Sequence, residues 1–277
     1  MRVFPSAPLP RLRVFAFRNA KRGSVLPPTR MSLAGRAALV TGGSRRIGKA
    51  IALALARAGA DIAIGYREDV RAAQRTVASI ETLGRRAFAV RADLTRGAEC
   101  RRIVETAVRK LGRLDILVNN VGEWVVESVA SMDAETWRHI MDSNLTTTFL
   151  CSKYAVLHMR RRSWGRIVNL GAVGAYRAHG SARMSAFYAA KAGIVAFSKS
   201  FAREVGPYGI TVNVVAPGVI EDPDLSITDA RRRKDKRFAV SRVGTGEDVA
   251  NAVLFLVSEE AEFVTGDVLG VTGGWLL

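Results

Sequence analysis

Cysteine and histidine are scarce. The chain has two cysteines, Cys100 and Cys151, and three histidines, His139, His158 and His179, in 277 residues. That is too few for a disulfide framework, and none has metal-ligand spacing, so free buried thiols and no metal are expected. Long apolar runs are also missing. None approaches the roughly 20 residues of a spanning helix, which excludes an integral membrane protein of that kind and predicts a soluble chain. Acidic residues are absent from the first thirty positions. That segment carries Arg2, Arg11, Arg13, Arg18, Lys21, Arg22 and Arg30 among Pro5, Pro8, Pro10, Pro27 and Pro28. The prolines disfavour a continuous amphipathic helix there, and no apolar core precedes a small-residue cleavage site. Residues 1–30 read as a basic, disordered leader or as sequence upstream of a true start at Met31. The late start is favoured and places the protein in the cytoplasm; a transit peptide would direct it to an organelle instead.

The formal charge is +17, and the chain beyond residue 30 remains basic. Arg160–Arg162 and Arg231–Arg237 are the conspicuous runs. Such runs suit phosphate-bearing substrates, an acidic carrier or nucleic acid, although most are solvated faces. Neither contains stacking aromatics, which argues against nucleic acid.

Past Met31, short apolar runs alternate with amphipathic stretches. Strands are expected at Ala37–Val40, Asp61–Ile64, Ala87–Val90, Ile116–Val118, Arg166–Leu170, Thr211–Ala216 and Val268–Val271. Helices are expected near Ile47–Gly59, Val70–Leu83, Glu99–Leu111, Ala134–Arg161, Met184–Val205 and Glu247–Val257. Strands apolar on both faces with helical crossovers imply an α/β fold, a Rossmann-like doubly wound parallel sheet. With no repeat or long linker, one domain is expected over residues 31–277.

Thr41-Gly42-Gly43-Ser44-Arg45-Arg46-Ile47-Gly48 joins the first strand to the first helix. A glycine-rich turn there converges backbone N–H groups and the helix dipole on a pyrophosphate. Gly42, Ser44, Arg45, Arg46, Ile47 and Gly48 are therefore candidate cofactor contacts. The second strand ends in Gly65-Tyr66-Arg67, where an NAD-preferring site would place an acid against the ribose. Arg67, with Tyr66 beside it and Arg45 opposite, suits a 2′-phosphate and hence NADP(H). The plainer alternative pairs Arg67 with Glu68 or Asp69.

Ala92-Asp93-Leu94, Asn119-Asn120-Val121-Gly122, Asn144, Lys191 and Ala216-Pro217-Gly218 follow in order. Together with the glycine turn, this series resembles the short-chain dehydrogenase/reductase family over about residues 33–277. The stretches Lys191–Ile194 and Gly209–Gly218 are similar to the 3-oxoacyl-carrier-protein reductase type, whereas Arg46 inside the turn is similar to pteridine reductases. The resemblance implies that Asp93 and Leu94 hold adenine, Asn120 and Gly122 line the ribose, and Pro217, Gly218 and Ile220 border the nicotinamide.

The resemblance also implies a proton-donating tyrosine four residues before Lys191, a serine in the loop after the fifth strand, and Asn144 supporting a relay water. Lys191 would lower the tyrosine pKa and grip the nicotinamide ribose. Two of the four positions depart from this pattern: Phe187 stands where the tyrosine belongs and Ala172 where the serine belongs. Neither side chain can donate a proton. Tyr188 is the candidate replacement acid, rotated by about 100° around the helix. Loss of standard catalysis is the competing expectation, and Ser181, Ser185 and Tyr176 are further hydroxyls nearby.

The implied reaction is reduction of a ketone on a small or carrier-linked substrate, with pteridine reduction or a nucleotide-binding interaction role as alternatives. The family also implies a homodimer or homotetramer through the helices at Ala134–Arg161 and Met184–Val205. The apolar ending at Trp275-Leu276-Leu277 is buried either within a subunit or between two.

Overall fold

The computed structural model describes residues 31–176, 180–220, 222 and 224–275. The expectations for residues 1–30, for His179 and for Leu276 and Leu277 lie outside them. The strands are β1 (Ala37–Val40), β2 (Asp61–Tyr66), β3 (Ala87–Arg91), β4 (Ile116–Asn119), β5 (Gly165–Leu170), β6 (Ile210–Pro217) and β7 (Val268–Val271). They form one sheet in the order β3-β2-β1-β4-β5-β6-β7, every pairing parallel.

Side-chain alternation divides the core in two. Ala38, Val40, Ile62 and Ile64 pack against helices α1 (Arg46–Arg57), α2 (Val70–Glu81) and α9 (Gly246–Val257). Ala37, Leu39, Ala63 and Leu117 face α3 (Gly97–Leu111), α5 (Thr147–Arg160) and α7 (Ser185–Val205) on the opposite side. Each central strand is thus buried on both faces, which is why its sequence is continuously apolar rather than alternating.

Local signals set the helix ends. The Asp69 carboxylate accepts from Ala72 N at 2.8 Å to cap α2. Asp133 does the same from Thr136 N at 2.7 Å for α4 (Ala134–Met141). Thr245 and Asp248 form a reciprocal capping box on α9, and Gly112 ends α3 in the left-handed conformation.

Two local features depart from the sequence expectation, and one alternative it left open is decided for Trp275. The helix expected over Ala134–Arg161 is interrupted at Asp142–Thr146 by a π-helical turn, so α4 and α5 are separate. Two single-turn helices, α6 (Val173–Tyr176) and α8 (Ile227–Ala230), are too short to produce a periodicity signal. Trp275 packs within its own chain beside Phe238 and Val243. No helix among the described residues is long and apolar enough to cross a membrane.

The sheet order places β1 between β2 and β4, the neighbouring strands of its two halves. Chains leaving β1 and β4 diverge to opposite faces at this point, opening a crevice beyond the carboxyl ends of the strands.

Candidate active site

The crevice is built first from the turn after β1. The Thr41 hydroxyl accepts from Asn120 N at 2.9 Å and from Val121 N at 3.2 Å. Asn120 Nδ2 returns bonds to the carbonyls of Thr41 and Gly42 at 3.0 and 3.2 Å. The glycine turn is therefore fastened to the loop after β4. A Cβ at Gly48 would collide with the Gly42 carbonyl oxygen and stand 2.7 Å from Asn120 Nδ2. Only glycine fits there, and the helix comes close enough for its amides to reach the turn. No side chain caps the N-terminus of α1, so its first-turn N–H groups face the crevice without a protein acceptor on that account. This cradle fits a dinucleotide pyrophosphate. Arg46 adopts φ +53, a left-handed conformation that costs a non-glycine residue about 1–2 kcal/mol.

A cleft of ≈ 980 Å³ runs from this turn across the sheet. Around Gly122, it brings together Gly42, Ser44, Arg45, Arg46, Ile47, Gly48, Tyr66, Arg67, Asp93, Leu94 and Asn120 at one end. Tyr188, Lys191, Pro217, Gly218 and Ile220 line the other.

At the adenosine end, Asp93 accepts from both Thr95 Oγ1 (2.7 Å) and Thr95 N (3.2 Å). The Thr95 hydroxyl bond is the main cause holding its carboxyl below the usual range. Leu94 is anchored through its carbonyl, which accepts from Thr147 Oγ1 at 2.9 Å. Arg67 is not free as the 2′-phosphate argument assumed. Its Nε pairs with Glu68 at 3.0 Å and its Nη1 with Glu123 at 2.5 Å. The bond to Glu123 is the main cause that raises the Arg67 pKa. Arg45 and Arg46 are exposed, with no carboxylate partner among the described residues.

At the other end, Lys191 donates to Leu170 O at 2.8 Å. Burial pushes its pKa down to about 8. Asn144 lies in the π-helical turn, a local irregularity frequent at functional sites. Its Nδ2 donates to Glu123 O at 2.8 Å and Ile140 O at 3.0 Å. Its buried Oδ1 has no partner. A Cβ on Gly122 would collide with that Oδ1 and come within 3.2 Å of Lys191 Nζ. Asn144 and Lys191 therefore meet across Gly122, with an unsatisfied acceptor between them.

The two aromatic neighbours diverge. The Phe187 ring centroid lies 5.6 Å from Lys191 Nζ. Tyr188 turns toward α6, where a Cβ on Gly174 would stand 3.0 Å from its hydroxyl. Both rings still line the cleft, as do Ala172, Ser181, Met184, Trp124 and Trp275.

Residues 42–276 match the family described as Enoyl-(Acyl carrier protein) reductase. The chain is 39% identical to the 3-oxoacyl-(acyl-carrier-protein) reductase FabG of Escherichia coli K12 over 246 residues, covering 88% of this chain and 98% of that one. The chain belongs to the short-chain dehydrogenase/reductase family. Solved relatives include a short chain dehydrogenase from Burkholderia cenocepacia J2315 in complex with NADP, with TM-score 0.78, 38% identity, and 87% and 98% of the two chains covered. Acetoin dehydrogenase YohF from Salmonella typhimurium aligns with TM-score 0.82 and 35% identity, covering 87% and 96%. Short-chain dehydrogenases/reductases are NAD(P)-using oxidoreductases of CH–OH and C=O groups, and this chain is one of them by descent.

Sequence reasoning missed two residues of this site. Glu123, immediately after Asn119–Gly122, and His139 on α4 join at 2.9 Å. Only the position of Glu123, one residue past a candidate ribose contact, pointed to it. The two cysteines, Cys100 on α3 and Cys151 on α5, are buried free thiols as expected, and Cys100 Sγ donates to Leu94 O at 3.2 Å.

Proposed function

We propose that this short-chain reductase uses NADP(H) to reduce a ketone on an acyl-type or other small carbonyl substrate, with Tyr188 as proton donor. The observation that carries the reading is that Tyr188 and Lys191, three residues apart on α7, open into the same cleft as the glycine turn. The nicotinamide group, when bound, supplies or accepts hydride. The chain's own residues do the rest. The glycine turn and the open end of α1 hold the pyrophosphate, and Lys191 places a positive charge beside the reacting end. The Tyr188 hydroxyl has no hydrogen-bond partner among the described residues, which leaves its proton available. Ala172 offers substrate no hydroxyl, so its carbonyl oxygen depends more heavily on Tyr188. Trp124, Met184, Phe187 and Trp275 give the substrate end apolar walls, which suit an acyl chain.

NADP(H) is favoured over NAD(H) by the three arginines, Arg45, Arg46 and Arg67, at the adenosine end. The relative crystallised with NADP supports this reading. A homodimer or homotetramer belongs to it as well. Phe149 and Leu157 on α5 are exposed in the single chain, and Phe263 is fully exposed.

A second reading has its own observation. The ring nearest Lys191 is Phe187, which carries no proton, so the chain retains dinucleotide binding with impaired chemistry. NADPH consumption with an acetoacetyl thioester and with a pteridine, for wild type, Tyr188→Phe and Phe187→Tyr, separates the two. A positioned general acid contributes roughly 10²–10⁴-fold, so Tyr188→Phe should lose activity on that scale. Wild type that binds NADP without turnover, together with a gain in Phe187→Tyr, would establish the second reading instead.

A further inference from the structure

Arg67 follows β2 and Glu123 follows β4, with β1 and its glycine turn between them. Their ion pair at 2.5 Å therefore spans the adenosine end of the cleft. Glu123 is held on both sides. Its second oxygen meets His139 Nε2 at 2.9 Å, and its main-chain carbonyl accepts from Asn144 Nδ2 at 2.8 Å. Glu68 takes the Arg67 Nε at 3.0 Å. The cation that would meet a 2′-phosphate is thus already engaged by two carboxylates.

We infer that Glu123 is a specificity-determining residue that narrows the preference of this site for a 2′-phosphate over a 2′-hydroxyl. A phosphate dianion entering beside Arg67 must share the guanidinium with Glu123 and is repelled by its charge. A ribose 2′-hydroxyl meets neither cost, because it can donate to a carboxylate. His139 acts through Glu123 as a positioning residue that keeps the carboxylate aimed across the cleft. The inference rests on the dinucleotide-binding reading above.

The test is calorimetric binding of NADP⁺, NAD⁺ and adenosine 2′,5′-bisphosphate to the full chain. Arg67, Glu123 and His139 are all partly exposed, and exposed pairs are weak, so the expected effect is modest. Glu123→Gln should tighten NADP⁺ and the bisphosphate by about 2–5-fold, while NAD⁺ holds or weakens. His139→Gln should move the same ratio in the same direction by less. In an Arg67→Ala background, Glu123→Gln should lose most of its effect on NADP⁺, because the cation it competes for is gone. Parallel changes for both dinucleotides, or weaker NADP⁺ binding in Glu123→Gln, would overturn the role given to Glu123. Equal NADP⁺ affinity in wild type and variant would overturn it too, leaving dinucleotide binding intact. If wild type bound neither dinucleotide, both readings would fall.

Discussion

Replacing Lys191 with methionine should stabilise the fold at neutral pH while removing a proposed catalytic group. Lys191 is buried, and its pKa drops from 10.5 to about 8 because burial penalises the charged form. At ~1.4 kcal/mol for each tenfold step in proton affinity, carrying that charge costs the folded state about 3 kcal/mol. Methionine fills similar space but leaves Leu170 O without its donor, a loss of about 1 kcal/mol. The net gain is about 2 kcal/mol, or ~4–8 °C in Tm for a domain of this size. The pH dependence gives the sign check. Below pH 8 the lysine is protonated in both states and the full cost is present. Between pH 8 and 10.5 the unfolded chain holds a proton that the folded protein has released, so wild-type stability rises with pH. The advantage of Lys191→Met should therefore fade across that window. Thermal unfolding followed by circular dichroism at pH 7, 8.5 and 10 measures it. A variant less stable than wild type at pH 7, or a difference unchanged with pH, would refute the reasoning.

Gly48→Ala should cripple dinucleotide binding, since the new methyl meets the Gly42 carbonyl rather than a movable side chain. Strain of about 1–3 kcal/mol is expected, with at least about tenfold weaker NADP⁺ affinity by calorimetry. Thr245→Ala removes the hydroxyl end of the capping box on α9 and should cost about 1 kcal/mol, read as a lower denaturation midpoint with unchanged NADP⁺ affinity.

The strands were legible because burial on both faces leaves an uninterrupted apolar run. β6, expected over Thr211–Ala216, extends only one residue further at each end. The break between α4 and α5 was not, since an extra residue in one turn barely disturbs the spacing of apolar positions. Asn144, inside that turn, was nevertheless singled out by its family motif. The cleft gathers the cofactor candidates because most of them follow strand ends whose side of the sheet is set by chain order. What escaped depends on contacts between distant segments. Arg67 and Glu123 meet only because β2 and β4 flank β1. Cys100 and Cys151 share one core only because α3 and α5 share a face. Neither separation carries a periodic signal. The orientation of Phe187 toward Lys191 and of Tyr188 toward Gly174 likewise depends on how α7 docks.

The central position of β1 has a consequence for synthesis. When residues 31–91 have left the ribosome, β1 can pair with β2 and β2 with β3, but the other edge of β1 waits for β4. Its partners there, Ile116, Leu117 and Val118, emerge only after another helix has been made. During that interval β1 offers an apolar strand edge with unpaired amides, a template for pairing with another nascent chain. Bound nucleotide would not protect this species, because the proposed contacts Asn120 and Gly122 belong to the half not yet synthesised. The same arrangement that creates the cleft thus leaves the incomplete chain with an open strand edge until β4 arrives.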